Sequence, residues 1–173
     1  QQAMLAMFTE LAGEPIDIVG VDGCTLPAPR LSLVGFARAL AKIAAPDLLK
    51  GTMSKAAEQI MASTMQFPFL TGGTKSPNSI MTAASSKKFF AKNGAEGVYA
   101  VILPEARAAM ALKITDGSMR AADVAIAGML SQMAEHLNLD KDMLNKFTTE
   151  DMYNSANTKV GVCRYTNIMP IQN

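Results

Sequence analysis

Nucleophilic catalysis often pairs a serine with a lysine, and one serine in this sequence has a lysine at a suitable spacing. A lysine three residues after a serine lies on the same helical face, where its amine can take the hydroxyl proton. Ser85 and Lys88 have this spacing in the segment Ser-Ser-Lys-Lys at residues 85–88. They lie where a predicted helix gives way to a predicted strand, and so short a motif is common by chance. We therefore favour a structural role for Ser85.

His136 is the single histidine of the sequence. Any Ser-His-Asp or Cys-His mechanism in this chain would have to run through it. His136 lies near the end of a predicted helix, where a charged imidazole is stabilised by the helix dipole. We predict this structural role rather than general-base catalysis.

Cys24 lies in a predicted turn, Asp-Gly-Cys-Thr at residues 22–25, where we expect it to be accessible. A thiolate can be a nucleophile or a metal ligand, but one cysteine cannot complete a tetrahedral metal site. Cys163, the only other cysteine, falls in a predicted strand, where we expect a small buried residue. On these residues alone, an inert Cys24 explains the sequence at least as well as a ligand.

The most informative local motif is Ala-Lys-Asn-Gly-Ala-Glu-Gly at residues 91–97. Its lysine, Lys92, ends a predicted strand, and the glycines let the backbone approach a ligand closely. The segment can thus present an ammonium group and backbone N–H groups to an anion. The alternative is a hairpin turn with a solvated lysine, which Asn-Gly pairs favour. The motif by itself favours this alternative.

Hydrophobic periodicity predicts the elements that position these residues. Helices are predicted over residues 2–12, 33–43, 54–65, 79–85, 118–137 and 140–147. A strand or extended segment is predicted over residues 16–21. Strands are predicted over residues 88–92, 98–104, 110–114 and 159–165, and the first three of these are predicted to form an antiparallel meander. Residues 67–78 contain two prolines and two glycines and predict a long loop, which is typical of a functional segment. Helices segregated from an antiparallel sheet predict an α+β fold.

The composition excludes several classes of protein. The 173 residues suffice for one domain, and 49% hydrophobic residues exclude a disordered chain. Sixteen Lys+Arg against 15 Asp+Glu give a net charge of +1, which argues against a nucleic-acid partner. No apolar stretch approaches the roughly 20 residues of a membrane span. Two cysteines and no visible signal peptide predict a reducing, cytoplasmic location.

Several blocks occur together in a fixed order, the most specific being Gly-Val-Asp-Gly-Cys at residues 20–24 and the 91–97 motif. Others are QAML at 2–5, LVGFARALA at 33–41, LPE at 103–105, ALKITDG at 111–117 and RAA at 120–122. This ordered set resembles the rhizobial-type (class 3) L-asparaginases, the asparaginase II group of amidohydrolases. The resemblance covers almost the whole chain.

The resemblance implies a serine β-lactamase- or glutaminase-like fold, with helices packed on an antiparallel sheet. It also implies hydrolysis of L-asparagine to L-aspartate and ammonia through an acyl-enzyme, with a serine activated by the lysine of an S-x-x-K motif. In longer family members those serines lie in the N-terminal half. Residues 1–173 are therefore expected to be the C-terminal portion of an asparaginase-like domain, an incomplete portion of the fold that is inactive in isolation. The expected partners are the missing N-terminal half or a second chain, in a homodimer.

Functional positions also carry over from the family. Lys92 matches the lysine of the family's AK-x-GAEG block, which implies a catalytic role like that of a KTG-type lysine. Asn93, Gly94 and Glu96, in the same block, are then expected to bind the substrate. Cys24 matches a zinc ligand whose partners, a cysteine and a lysine, would lie upstream. Such a zinc ion would tune or brace the site.

The sequence departs from the family pattern at residues 73–79, where members tend to carry a cysteine, at residues 25–28, and at Asn93. These departures leave open which amide is preferred. A glutaminase or another amidohydrolase on the same scaffold is one alternative. A non-catalytic ligand-binding module is another.

Overall fold

The computed structural model describes residues 1–166. Its helices are α1 (Gln2–Ala12), α2 (Leu33–Ala44), α3 (Thr52–Gln66), α4 (Pro68–Gly72), α5 (Pro77–Ala84), α6 (Met119–Gln132) and α7 (Lys141–Asn145). Its strands are β1 (Val19–Val21), β2 (Pro27–Pro29), β3 (Phe90–Asn93), β4 (Val98–Leu103), β5 (Ala108–Lys113), β6 (Thr149–Tyr153) and β7 (Lys159–Arg164). Within these residues, no helix has both the length and the apolar character needed to cross a membrane. The mixture of helices and antiparallel strands confirms the predicted α+β class.

Strands β3, β4 and β5 form the central antiparallel sheet, with β4 in the middle. Ala91 lies opposite Val101, and Val101 lies opposite Met110 on the third strand. Because side chains alternate between the two faces of a strand, this register puts the three apolar residues on one face. The predicted meander is therefore confirmed.

Helices cover both faces of this sheet. Val101 packs in a buried cluster with Ile126 of α6. On the opposite face, Ile102 packs with Ala44 of α2 and Met61 of α3. Each large apolar side chain buried in this way contributes about 1.5–3 kcal/mol relative to exposure to water. The result is a layer of helices on each side of a three-stranded sheet.

Helix α2 also holds α1 through its basic side chains. Arg38 donates a hydrogen bond to the carbonyl of Ala12, and Lys42 donates one to the carbonyl of Glu10. Both carbonyls belong to the last turn of α1, which lacks intrahelical donors. Gly13, in the left-handed conformation, then ends α1 as predicted.

The β6–β7 hairpin is joined to α6 through Tyr165, which directly follows the last residue of β7. A Cβ added to Gly128 of α6 would lie 2.0 Å from the Tyr165 ring, so the ring packs directly on the helix backbone. The Tyr165 hydroxyl donates a hydrogen bond of 2.8 Å to Oε1 of Gln132. Packing against the helix backbone requires a glycine at position 128.

The structure corrects the predicted loop over residues 67–78. Pro68 begins α4 and Pro77 begins α5, each at the first helical position, where the missing proline N–H has no intrahelical acceptor. The predicted helix over residues 118–137 was also too long. It ends at Gln132, and His136 lies exposed in the following turn instead of in the last helical turn.

The short strands differ most from the sequence predictions. Within residues 16–21, predicted as a strand or extended segment, Val19–Val21 forms a strand, and strands β2 and β6 were not predicted. Residues 149–153 (Thr-Glu-Asp-Met-Tyr) are mostly exposed, so their sequence lacks the apolar alternation that identifies a half-buried strand. Cys163 lies on β7 as predicted, but it is only partly buried.

Candidate active site

The 91–97 motif forms the last three residues of β3 and the 94–97 loop that connects β3 to β4. The N–H of Gly94 donates to the carbonyl of Val98 over 2.8 Å, which closes the hairpin. A 3₁₀ turn at Ala95–Gly97 follows. The carbonyl of Gly97 accepts a 3.0 Å hydrogen bond from the N–H of Ile114, just after β5. The loop is thus attached to all three strands of the sheet.

Gly97 is required at this point for two reasons. Its φ is +67°, in the left-handed region that L side chains disfavour. A Cβ at Gly97 would also lie 2.8 Å from Cβ of Ile114 and 3.1 Å from the backbone of Gly117. The close approach packs the loop against the turn that follows β5.

Lys92 lies at the end of β3, opposite Ala100 of β4, and its side chain is exposed. Its Nζ donates to the backbone carbonyl of Asn93 over 2.7 Å and to Oδ1 of Asn93 over 2.8 Å. Both acceptors are uncharged, and no ion pair within residues 1–166 includes Lys92. The positive charge is therefore not neutralised and is open to an anion.

Of the other expected substrate-binding residues, Asn93 contacts this ammonium group, and Gly94 and Glu96 follow it in the same loop. Gly94 and Glu96 are exposed, and Asn93 is half-buried. The N–H of Gly94 is already hydrogen-bonded to the carbonyl of Val98 and cannot also bind a ligand. Gly94 can therefore contribute only by lacking a side chain, which lets a ligand come close to the backbone. Glu96 forms no ion pair with any residue in the 1–166 range.

An apolar groove of about 570 Å³ borders this loop. It reaches Val98, the residue directly after Gly97, and is lined by side chains of α1 and α2, among them Phe8, Leu11, Phe36 and Leu40. Val98 alternates with Tyr99 along β4 and so shares the sheet face of Lys92 and Ala100. The groove and the lysine therefore lie on the same side of the sheet.

A buried tyrosine and a carboxyl group lie behind the loop. Tyr99 is opposite Asn93 in the sheet and is fully buried. Its hydroxyl lies beside the carboxyl group of Asp123 on α6. Neither the hydroxyl nor Asp123 Oδ1 has a hydrogen-bond partner within residues 1–166. Burial raises the pKa of Asp123 to about 6, with a further increase from Glu150 and a decrease from Tyr99. Burial likewise raises the pKa of Tyr99.

Cys24 lies at the tip of the β1–β2 ribbon and is exposed. Its N–H donates to Oδ2 of Asp22 over 3.3 Å. Hydrogen bonds from Cys24, first its thiol and then its N–H, together with the N–H of Gly23, lower the pKa of Asp22. In the part of the chain that the structure describes, no group of three His, Cys, Asp or Glu side chains could hold a metal ion. The ribbon offers one thiol and an adjacent carboxylate, and a tetrahedral zinc site needs four donors.

The structure separates Ser85 from Lys88. Ser85 is 5% exposed, and its hydroxyl donates to the carbonyl of Thr82 over 2.8 Å. Nζ of Lys88 is instead bound to the carbonyl of Asn138. Helix α5 ends before both residues, so they share no helical face. The structural role predicted for Ser85 follows from these contacts.

The sequence reasoning missed the Tyr99–Asp123 pair. A usable signal exists, because Asp123 is the only acidic residue of α6 and lies among apolar residues of that helix. A carboxyl group among apolar residues either has a bonding partner or has a raised pKa. Tyr99 carries no comparable signal, because a tyrosine in an apolar strand is ordinary.

The comparison with known families agrees with the resemblance based on the sequence blocks at residues 20–24 and 91–97. A family model described as L-asparaginase II matches residues 1–165. The match includes both the Cys24 ribbon and the Lys92 loop. A search of curated proteins found no match.

We expect Asp123→Asn to stabilise the chain at pH 7.5 but not at pH 4. The folded pKa of about 6 exceeds the unfolded value, so the stability of the wild type falls as pH rises from about 4 to about 6. Asparagine has no such dependence. Because solvent still reaches the Asp123 carboxyl group, it screens part of the cost of the charged form. The expected gain in unfolding free energy for the variant is therefore about 1 kcal/mol. The measurement is chemical denaturation of both proteins at both pH values. An equal difference at the two pH values would contradict this expectation.

Proposed function

The chain belongs to the L-asparaginase II family, whose activity is the hydrolysis of asparagine, and we propose that it forms the lysine-bearing portion of an amidohydrolase with a Ser/Lys mechanism. A serine Oγ would attack the side-chain carbonyl carbon of L-asparagine. The C–N bond breaks and ammonia leaves with the transferred proton. Water then cleaves the ester, which releases L-aspartate and restores the serine.

The observation that carries this proposal is the exposed, unneutralised ammonium of Lys92 at the end of β3, beside a loop attached to three strands. Such a group acts on negative charge, either the substrate carboxylate or the charge that develops at the attacked carbonyl. A fixed positive charge also favours deprotonation of a nearby nucleophile system. Lys92 is the proposed catalytic lysine.

Asn93, Gly94 and Glu96 are proposed to bind the substrate beside Lys92. The carboxylate of Glu96 suits the α-ammonium group of an amino acid. The side-chain amide of Asn93 has donors that suit a carboxylate or amide oxygen. Gly94 leaves room for a ligand to approach. L-Asparagine carries all of these groups.

We propose that the nucleophile comes from a segment preceding residue 1 in a complete protein, or from a second chain. Within residues 1–166, no serine hydroxyl is hydrogen-bonded to a lysine amine. The apolar groove and the exposed α2 side chains Leu33 and Val34, the latter 67% exposed, provide a surface for that segment to cover. On this proposal the chain alone is inactive, and the working enzyme is a cytoplasmic homodimer.

Zinc is proposed at the β1–β2 ribbon, with Cys24 as a ligand. The exposed thiol beside a carboxylate fits part of a zinc site, because Zn²⁺ prefers sulfur and nitrogen ligands and accepts oxygen. The remaining ligands would come from the same missing segment. The ion would brace the ribbon against that segment, and hydrolysis would not run through it.

We expect the purified 173-residue chain to release no ammonia from L-asparagine, because it has no Ser–Lys pair in residues 1–166. The measurement is a coupled ammonia assay, with native mass spectrometry to establish which chains are present. L-Glutamine is assayed in parallel to separate a glutaminase. Turnover by a lone chain that Ser85→Ala abolishes would show that the nucleophile lies within residues 1–173.

In the active protein, Lys92→Met is expected to lower kcat/KM by about 10²-fold or more, because the positive charge at the loop is lost. Lys159→Met is the matched control. Lys159 is also an exposed strand lysine, but it lies on the β6–β7 hairpin in a surface ion pair with Asp151. Equal rates for the two variants would contradict the catalytic role of Lys92.

Cys24→Ser in the active protein should lower the zinc content, because a serine hydroxyl is a much weaker zinc ligand than a thiolate. Metal content is measured by inductively coupled plasma mass spectrometry after dialysis against a weak chelator. Cys163→Ser is the matched control, since it removes the other thiol of the chain. A zinc content that neither substitution changes would dismiss Cys24 as a ligand.

A further inference from the structure

The outer edge of β3 is covered by side chains of α5. Strand β3 pairs with β4 on one side only, which leaves alternate backbone groups pointing away from the sheet. The N–H of Ala91 donates to Oγ1 of Thr82 over 3.0 Å. The side-chain amide of Asn78 donates to the carbonyl of Ala91, with Nδ2 and the oxygen 3.4 Å apart. Both outward backbone groups of Ala91 therefore have partners on α5. We call Asn78 and Thr82 the edge clamp.

The edge clamp is a buried arrangement. Asn78 is 0% exposed and Thr82 is 1% exposed. They are four residues apart on α5 and so lie on one helical face. A Cβ added to Gly72 would lie 2.5 Å from Nδ2 of Asn78, so the backbone of α4 packs directly behind the clamp. Burial and close packing leave the two side chains little freedom to move.

Ala91 is the residue immediately before Lys92. The next outward carbonyl on this edge, that of Asn93, accepts a hydrogen bond from Nζ of Lys92 itself. On its outer side, β3 is thus bound to α5 just before Lys92. Loss of the clamp would free this end of the edge strand, and small displacements of a catalytic group reduce rates strongly.

We propose that Asn78 and Thr82 are positioning residues for Lys92, which fix its Cα by binding both backbone groups of Ala91. This inference rests on the proposed catalytic role of Lys92. The edge clamp does not touch the substrate. It acts by holding the outer edge of β3 against α5, which fixes the position of the Lys92 backbone.

The test is steady-state kinetics on variants of the active protein. Thr82→Val removes the hydroxyl at nearly the same volume, and kcat/KM is expected to fall about tenfold. Thr82→Ser keeps the hydroxyl and should remain within about twofold of wild type. Ser85→Ala is the matched control, because Ser85 is also buried on this segment but accepts from the N–H of Phe89 instead of Ala91. It should leave kcat/KM unchanged.

A double substitution separates positioning from simple loss of stability. In a Lys92→Met background, Thr82→Val should cause no further loss, because the edge clamp acts through Lys92. An equal tenfold loss in that background would overturn the proposal, as would a Thr82→Val enzyme as active as Ser85→Ala. If Thr82→Val does not fold, Asn78→Ala replaces it with the same expectations.

The proposed function fails by a different result. Full activity of Lys92→Met would show that Lys92 is not catalytic, whatever the Thr82 variants do. An inactive Lys92→Met enzyme together with unaffected Thr82→Val and Asn78→Ala enzymes would overturn the edge clamp alone.

Discussion

The backbone hydrogen bonds at the two ends of the 94–97 loop are the constraint on which the proposed site depends. Gly94 is bound to Val98 within the hairpin, and Gly97 is bound to Ile114 beyond the far strand. Backbone bonds of this kind are set by strand register, so the loop cannot shift without disturbing the sheet. The loop conformation is therefore a property of the fold and needs no ligand to form.

Some charged side chains at the surface are in ion pairs, whereas the ammonium of Lys92 beside the loop is not. Arg30–Asp17, Arg107–Asp47 and Lys159–Asp151 are exposed ion pairs, and such pairs contribute little to stability. Lys92 is bound only to the two oxygens of Asn93, which are neutral. An ammonium held by neutral acceptors keeps its full charge, and an incoming anion has to displace no counter-ion. Within residues 1–166 Lys159 is the only lysine in an ion pair, so Lys92 is distinguished by its place beside the 94–97 loop rather than by its open charge.

Much of the fold could be predicted from the sequence because its main elements have strong periodicity. The spacing of Leu33, Phe36 and Leu40 identified α2, and the short apolar runs around residues 98–103 identified the meander. The short helix α4 was missed because its few residues show no periodicity, and only Pro68 marks its start. Strand β6 was missed because it buries almost nothing.

The candidate site was only partly predictable. The 91–97 motif carries its own signals, a lysine and closely spaced glycines, and its place at a hairpin could be predicted from the strands beside it. The contacts of the edge clamp could not be predicted, because Asn78 and Thr82 meet Ala91 only after α5 has packed beside β3. Residues 67–78 looked like a loop, and a loop carries no expectation of which backbone groups it will bind.

The same contacts bear on how the proposed nucleophile from another segment would meet Lys92. A loop that folds only on binding would lose affinity to its own ordering entropy. Here two backbone hydrogen bonds hold the loop, and the edge clamp holds the strand before it, all within residues 1–166. On the proposed function, a segment that covers the apolar groove would meet a lysine already in position, so its binding energy could go into assembly instead of rearrangement. Preorganisation of this kind lets a catalytic charge act as soon as the nucleophile arrives, because no reorganisation is needed during the reaction.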